Sequence, residues 1–256
     1  MIRIDKLNIE PFHIVTRVLP AAAIALLAFC TPALAQNVTI GFGEGAGVTE
    51  RAIQIIALIT VLSLAPSILV MVTSFTRIVV VLSLLRTAIG VQQSPPNAVV
   101  ISLALFLTAF VMAPVLQQSY DAGVKPLIED QIELDQAFER AVKPIQAFML
   151  SHVREKDLGL FVNLAGEKIP ESPEDISLRV LVPAFMISEL KRAFEIGFLL
   201  FVPFIVIDMV VASVLMSMGM MMLPPIIISL PFKLIFFVLV DGWHLVAGSL
   251  VQSYAN

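Results

Sequence analysis

The chain has 256 residues, of which 58% are hydrophobic and 14% are charged, and its formal net charge is −4 at pH 7. Soluble domains typically contain roughly 25% charged residues, so this composition indicates a membrane protein. The negative charge, with no run of Lys or Arg, argues against a nucleic-acid-binding protein. A single cysteine, Cys30, excludes a disulfide framework and a cysteine-based metal site.

The first 35 residues have the organisation of a secretory signal peptide. Basic residues precede the apolar segment 18–30, and the pattern Ala33-Leu34-Ala35 predicts cleavage between Ala35 and Gln36. An apolar segment of about 13 residues is short for a membrane span, which needs about 20. An uncleaved membrane anchor is the alternative interpretation.

Residues 36–51 are rich in glycine, and we interpret them as a flexible periplasmic tether. Their glycine content is similar to that of a phosphate-binding loop, but no Gly-Lys-Ser/Thr follows and no strand pattern precedes them. We therefore predict no nucleotide site in this stretch and no cofactor for the chain.

N-terminal apolar helices are predicted over residues 52–116. The first apolar run is about 40 residues long, so it has to bend, divide into two helices or lie partly against protein, with Pro66 as one expected bend. A guanidinium in hydrocarbon costs at least about 2.5 kcal/mol, so Arg77 and Arg86 need partners or water. Nine residues apart, they point to opposite sides of a helix. We expect Arg86 to be an interfacial anchor beside the polar segment 92–97. The same explanation fits Arg77 less well.

A second apolar span, residues 98–116, carries small side chains suited to close helix contacts. The composition then changes, because residues 117–195 contain 14 acidic and 9 basic side chains, a net charge of −5. With the signal placing Gln36 outside and two crossings following, residues 117–195 are predicted to form an extracytoplasmic helical domain.

Apolar residues recur at helical spacing in the predicted extracytoplasmic domain. They indicate an amphipathic helix, or two helices with Pro144 opening the second, whose face covers either its own domain or a neighbouring copy. The residues are Ile128, Ile132, Phe138, Val142, Ile145 and Met149. His152 and Asp157 lie nearby without a third ligand, so no metal site is predicted.

Residues 196–256 are predicted to form a C-terminal helical hairpin with two charges in its apolar runs. A turn near Leu223 places Asp208 fifteen residues before it and Lys233 ten residues after it, close enough in height to pair. The two charges pair within one chain, pair between copies, or line a wet passage. Glu189 is a third candidate partner.

The turn of this hairpin, residues 216–225, is called the methionine loop below. It holds five of the eleven methionines of the chain and ends in two prolines. Thioether side chains are soft enough to seal a gap while repacking around different shapes, although they also serve as ordinary core filler. Both interpretations apply to the candidate residues, which are Met216, Met218, Met220, Met221, Met222, Leu223, Pro224 and Pro225.

Five stretches between residue 52 and the end of the chain carry a family resemblance in consistent order. They are Met71-Val-Thr-Ser-Phe-Thr-Arg77, Gln93-Ser-Pro-Pro-Asn97, Pro183-Ala-Phe through Gly197-Phe198, the run Met-Met-Met-Leu-Pro-Pro, and Pro231-Phe-Lys-Leu through Asp241-Gly-Trp243. Together they resemble the FliP/SctR family of type III secretion export gates. The length and the signal-like start resemble the flagellar branch more than the virulence injectisome branch.

The resemblance implies an all-α, multi-pass protein of the bacterial inner membrane and flagellar basal body. Five copies would join FliQ-like and FliR-like membrane subunits in a closed helical cone, with a FliO-like factor assisting assembly. Unfolded flagellar proteins would pass through the cone, and methionines 220–222 would form its gasket. Helical hairpins in such a cone are raised out of the bilayer plane, and a partner ATPase with the proton motive force would supply the energy.

Two other classes of protein are compatible with parts of the sequence. A secondary transporter would also use Asp208 and Lys233 near a proline-broken helix, but it needs more spans and an internal repeat. An intramembrane hydrolase would need a nucleophile and a base, and no motif connects Ser229 with His244. We therefore predict no catalytic residues and no enzymatic activity.

Overall fold

The structure is a computed structural model that describes residues 48–91, 93–166, 175–220 and 222–255. The predicted signal peptide, its cleavage site at Ala35 and Gln36, most of the glycine-rich tether, and Met221 lie outside the described residues. The chain divides into two compact units, residues 1–57 and 58–256. Of the first unit the structure describes residues 48–57, which are helical.

Nine α-helices and one π-helical turn account for most of the described residues. They are α1 (Val48–Val72), α2 (Phe75–Ile89), α3 (Asn97–Ser119), the π-helical turn Tyr120–Val124, α4 (Lys125–Ile128), α5 (Leu134–His152), α6 (Glu155–Ala165), α7 (Leu178–Ser217), α8 (Pro225–Leu239) and α9 (Gly242–Gln252). The described ranges contain no β-strand, which confirms the all-α prediction.

The long N-terminal apolar run divides at its polar cluster, while α1 continues through Pro66. At the break, the hydroxyl of Thr73 donates to the carbonyl of Leu69 (2.7 Å) and that of Thr76 to the carbonyl of Val70 (2.9 Å). These side chains satisfy carbonyls that the ending helix leaves without amide partners. The run therefore forms two helices, which was one of the alternatives expected from its length.

Helix α5 is continuous through Pro144, so the alternative of a second helix opening at this proline is wrong. Proline cannot donate to the carbonyl four residues earlier, on Arg140. Arg140 is exposed, so water can solvate that carbonyl and the helix need not break.

Helix α2 lies at the centre of the second unit, along α7 and α3. One apolar cluster joins α2 to α7, α8 and α9, and includes Ile78, Val81, Leu85, Ala193, Phe204, Phe237, Val246 and Leu250. A second cluster joins α3, α5, α6 and α7, and includes Met112, Phe148, Met149, Val162, Leu181 and Phe185. Helix α7 contributes to both clusters and so connects the two parts of the core.

Three helical segments of the described chain are long and apolar enough to cross a membrane: Ile55–Val72, Asn97–Ile128 and Leu178–Ser217. Helices α8 and α9, bent by 63° at the turn between them, add a fourth if they form one span. At 1.5 Å per residue the 40-residue helix α7 is about 60 Å long, twice the thickness of the hydrocarbon layer. The predicted boundary between residues 195 and 196 therefore falls inside one helix.

Candidate functional site

The methionine loop begins where glycine ends α7. Gly219 has φ 74°, and its N–H donates to the carbonyl of Met216 (3.1 Å), while the N–H of Met220 donates to the carbonyl of Leu215 (3.0 Å). This pair of bonds is the Schellman motif, which needs a left-handed residue and therefore favours glycine. Pro225 then starts α8 at the position where proline has no amide to leave unpaired.

The described side chains of the methionine loop are mostly exposed. Met222 is 98% exposed, and Met216, Met218, Met220 and Leu223 are between 42% and 61% exposed. An exposed group of large apolar side chains marks a surface that contacts something apolar. The loop thus has the chemistry of a contact surface rather than that of core filler within its own chain.

Asp208 and Lys233 form an ion pair within one chain. Nζ of Lys233 donates to Oδ2 of Asp208 (2.7 Å) and to the carbonyl of Ala88 on α2 (3.4 Å). The Lys233 side chain is 4% exposed and that of Asp208 is 34% exposed. Of the three arrangements considered from the sequence, the structure contains the pairing within one chain.

Ser229 is part of the same site, although sequence reasoning considered it only as an unconnected nucleophile. Its hydroxyl donates to Oδ1 of Asp208 (2.5 Å). Ser229 precedes Lys233 by four residues, so both side chains lie on one face of α8 and approach the same carboxylate. That spacing was the available signal for its role.

Arg77 and Glu189 form a second ion pair, deep in the protein. Their side chains are 1% and 0% exposed, and Nε of Arg77 donates to Oε2 of Glu189 (2.9 Å), while Nη2 contacts Oε1. The structure therefore provides the partner that Arg77 needed. Glu189 accordingly belongs to this pair and not to the pair of Asp208 and Lys233.

The residues after α9 complete the second ion pair, and sequence reasoning missed them. The hydroxyl of Tyr254 donates to Oε2 of Glu189, and the Arg77 guanidinium lies 3.9 Å from the centre of the Tyr254 ring. Nη1 of Arg77 also donates to the carbonyl (3.3 Å) and hydroxyl (3.0 Å) of Ser253. Burial and the charge of Glu189 raise the pKa of Tyr254, so its phenol stays a donor.

Arg86 lies beside the polar turn that follows α2, where the sequence placed it. It is partly buried in the last turn of α2, and Nη1 donates to Oδ1 of Asn97 (2.5 Å) and to the carbonyl of Pro95 (3.3 Å). Arg77, nine residues earlier, is buried against α7. The two guanidinium groups thus have separate environments and separate partners.

A third polar cluster joins α6 to α7. Arg154 donates twice to the carboxylate of Asp157 (both 2.8 Å), and the hydroxyl of Ser188 donates to the same carboxylate (2.6 Å). Burial pushes the pKa of Asp157 up, but the bonds from Ser188 and Arg154 outweigh it, and the net effect lowers this pKa. The carboxylate of Asp157 is therefore occupied by protein donors.

Comparison with known proteins places these features in one family. The FliP family model matches residues 58–250, which is more than half of the chain. The chain belongs to the FliP family. The FliP match includes both ion pairs and the whole methionine loop, whereas Ser253 and Tyr254 lie just beyond it.

Several curated relatives share the FliP assignment. The flagellar biosynthetic protein FliP of Caulobacter vibrioides is 68% identical over 234 residues, covering 91% of this chain and 88% of the relative. The FliP protein of Bacillus subtilis is 57% identical over 205 residues, covering 80% and 93%. That of Aquifex aeolicus is 51% identical over 214 residues, covering 82% and 89%. All three carry flagellar names.

Proposed function

We propose that this FliP-family chain is a pore-forming subunit of the flagellar type III protein export gate in the inner membrane. It passes unfolded flagellar proteins across that membrane while the flagellum is built. The observation that carries this conclusion is the family match, which extends across both ion pairs and the exposed methionine loop. The flagellar names of the relatives favour this function over the equivalent role in an injectisome.

The subunit works as part of a larger complex, for which we propose five copies with FliQ-like and FliR-like subunits and a FliO-like assembly factor. Large apolar side chains support this, because they are exposed along α1 as well as at the methionine loop. Leu58, Ile59, Val61 and Leu62 are between 50% and 70% exposed. Surfaces of this kind need cover from lipid or from other subunits.

The methionine loop acts as the seal of the gate. Several copies of the loop around one axis bring flexible apolar side chains together, which exclude water and ions. The same side chains change rotamer at low cost, so a passing polypeptide can displace them. Gly219 and the two prolines define where α7 ends and α8 begins, so the ends of these two helices position each loop.

Ion conductance of assembled complexes tests the seal. Replacing methionines 220–222 by alanine removes most of the side-chain volume at these three positions. The purified complex is therefore expected to conduct small ions across a planar bilayer while it keeps the same number of subunits as the wild type. Replacing them by leucine keeps volume and apolarity and is expected to keep conductance low. Met209→Ala is the control, since this methionine is also exposed on α7 but lies outside the loop.

Wild-type conductance in correctly assembled alanine variants would contradict the proposed seal. An effect of Met209→Ala as large as that of the loop variant would show that the leak comes from general damage to the hairpin.

A further inference from the structure

We propose that the C-terminal hairpin is locked at two heights, so that opening of the export gate is confined to its tip. The tip consists of the parts of α7 and α8 between Asp208 and Lys233, with the methionine loop joining them. The frame is the rest of the hairpin, from Glu189 on α7 to Asp208 and from Lys233 on α8 to Tyr254. This inference rests on the proposed function, and it specifies where the moving part of the gate begins and ends.

The upper lock is the ion pair of Asp208 with Lys233. Ser229 holds the second carboxylate oxygen of Asp208, and Lys233 also donates to the carbonyl of Ala88, so α7, α8 and α2 are tied at one level. Nine residues separate Asp208 from the end of α7 and eight separate Lys233 from the start of α8. At 1.5 Å per residue, the two arms of the tip are about 14 Å and about 12 Å long.

The lower lock is the cluster of Arg77, Glu189, Ser253 and Tyr254. Glu189 lies on α7 and Tyr254 follows α9, so the chain that leaves α7 at the methionine loop returns and bonds to α7 again. Arg77 on α2 binds both Glu189 on α7 and Ser253 after α9, so it connects the two ends of the hairpin. The hairpin is thereby closed at its base.

Between the two locks the frame is filled by core side chains. The Phe204 ring lies 6.1 Å from that of Phe236 and 6.4 Å from that of Phe237, measured between centroids. Phe204 is 3% exposed, and it shares an apolar cluster with Val246 and Leu250 of α9. Close-packed interiors of this kind resist gradual deformation.

The tip has little core of its own. Among the described residues between Asp208 and Lys233, only Leu215 and Ser229 are buried, and none belongs to either apolar cluster. An open apolar groove between its two arms is lined by Val211, Leu215 and Ile228, among others. Segments with few buried contacts open at the lowest free energy, so within one subunit the tip has fewer contacts to break than the frame and moves before it.

Covalent bridges between α7 and α8 test which part has to move. The frame bridge uses Phe204→Cys with Phe236→Cys, and the tip bridge uses Val211→Cys with Ile228→Cys, both in a Cys30→Ser background. A short bis-methanethiosulfonate reagent joins each pair in assembled complexes, and export of flagellar protein is compared before and after bridging. We expect the frame bridge to change the export rate less than twofold and the tip bridge to lower it at least tenfold.

The outcomes separate the inference from the proposed function. A frame bridge that stops export as fully as the tip bridge overturns the inference, because the frame then has to move. Export that persists with the tip bridged overturns the proposed role of the hairpin as the gate.

A milder substitution tests the lower lock without removing core volume. Tyr254→Phe deletes only the hydroxyl that donates a hydrogen bond to Glu189. Tyr120→Phe is the control, because it makes the same change on the other tyrosine of the chain, which is 45% exposed. Loosening the frame lets the resting tip shift, so Tyr254→Phe is expected to raise the closed-gate conductance at least threefold and Tyr120→Phe to leave it unchanged. Equal conductance in the two variants would overturn the role of the lower lock.

Discussion

Removing the carboxylate of Glu189 is the most informative perturbation of the core. Glu189→Ala deletes two bonds from Arg77 and one from Tyr254, and it leaves the Arg77 guanidinium buried at 1% exposure without its counter-charge. Breaking one partner of a buried pair costs about 3–5 kcal/mol, because the remaining charge stays desolvated. The folding equilibrium constant of the subunit is therefore expected to fall about 100-fold to several thousandfold.

Reversible unfolding in mixed detergent micelles, followed by circular dichroism, measures this loss. Glu195→Ala is the matched control on the same helix, since its partner Lys191 is 3.5 Å away and both side chains are more than half exposed. An exposed pair four residues apart contributes only about 0.3–0.5 kcal/mol.

A double variant distinguishes a stranded charge from lost volume. Arg77→Met with Glu189→Leu removes both charges and is expected to recover most of the stability lost in Glu189→Ala. A double variant that is as unstable as Glu189→Ala, or a Glu189→Ala variant no less stable than Glu195→Ala, would refute the assignment of this cost to the buried charge.

Two further predictions concern the residues between α3 and α7. Gly123→Ala places a methyl group 2.4 Å from the carbonyl oxygen of Ala137, so it should destabilise the subunit by about 1–3 kcal/mol in the same unfolding assay. The methyl group of Gly159→Ala meets open space, so this variant should stabilise α6 by about 0.5–1 kcal/mol. Because folding lowers the pKa of Asp157, its stabilisation is fully present above the ordinary pKa near 3.8 and is lost as pH falls from there through the lower pKa of the folded protein. Asp157→Asn should therefore lower the melting temperature less at pH 3 than at pH 7, and an equal decrease at both pH values would contradict this.

Local chemistry explains why much of the chain was predictable. The mean apolarity indicated helices for a membrane, and Gly219 with the prolines of the methionine loop indicated where the hairpin turns, because each acts on its own backbone. Arg77 was also identified as needing a partner or water, because the desolvation cost of a guanidinium is a property of that one side chain. The continuity of α5 through Pro144 was not predictable, since it depends on whether water reaches the carbonyl of Arg140.

Partner choice was the part that residue types and spacing left open. More than one pairing is possible among the four charges, which are Arg77, Glu189, Asp208 and Lys233. The partners of the two pairs are 112 and 25 positions apart in the sequence, and they meet only because α2, α7 and α8 lie side by side. The partner of the Tyr254 hydroxyl was equally unpredictable, since nothing in the neighbouring sequence distinguishes Tyr254 from an exposed tyrosine.

The amino-acid order alone thus settled the class of protein, its all-helical character, the turn of the hairpin and the family, because hydropathy and backbone preferences act within a few residues. The three-dimensional arrangement settled which charges neutralise each other and that the residues after α9 close the hairpin onto α7. These are contacts between distant parts of the chain, and their energies depend on burial that arises only when the helices come together.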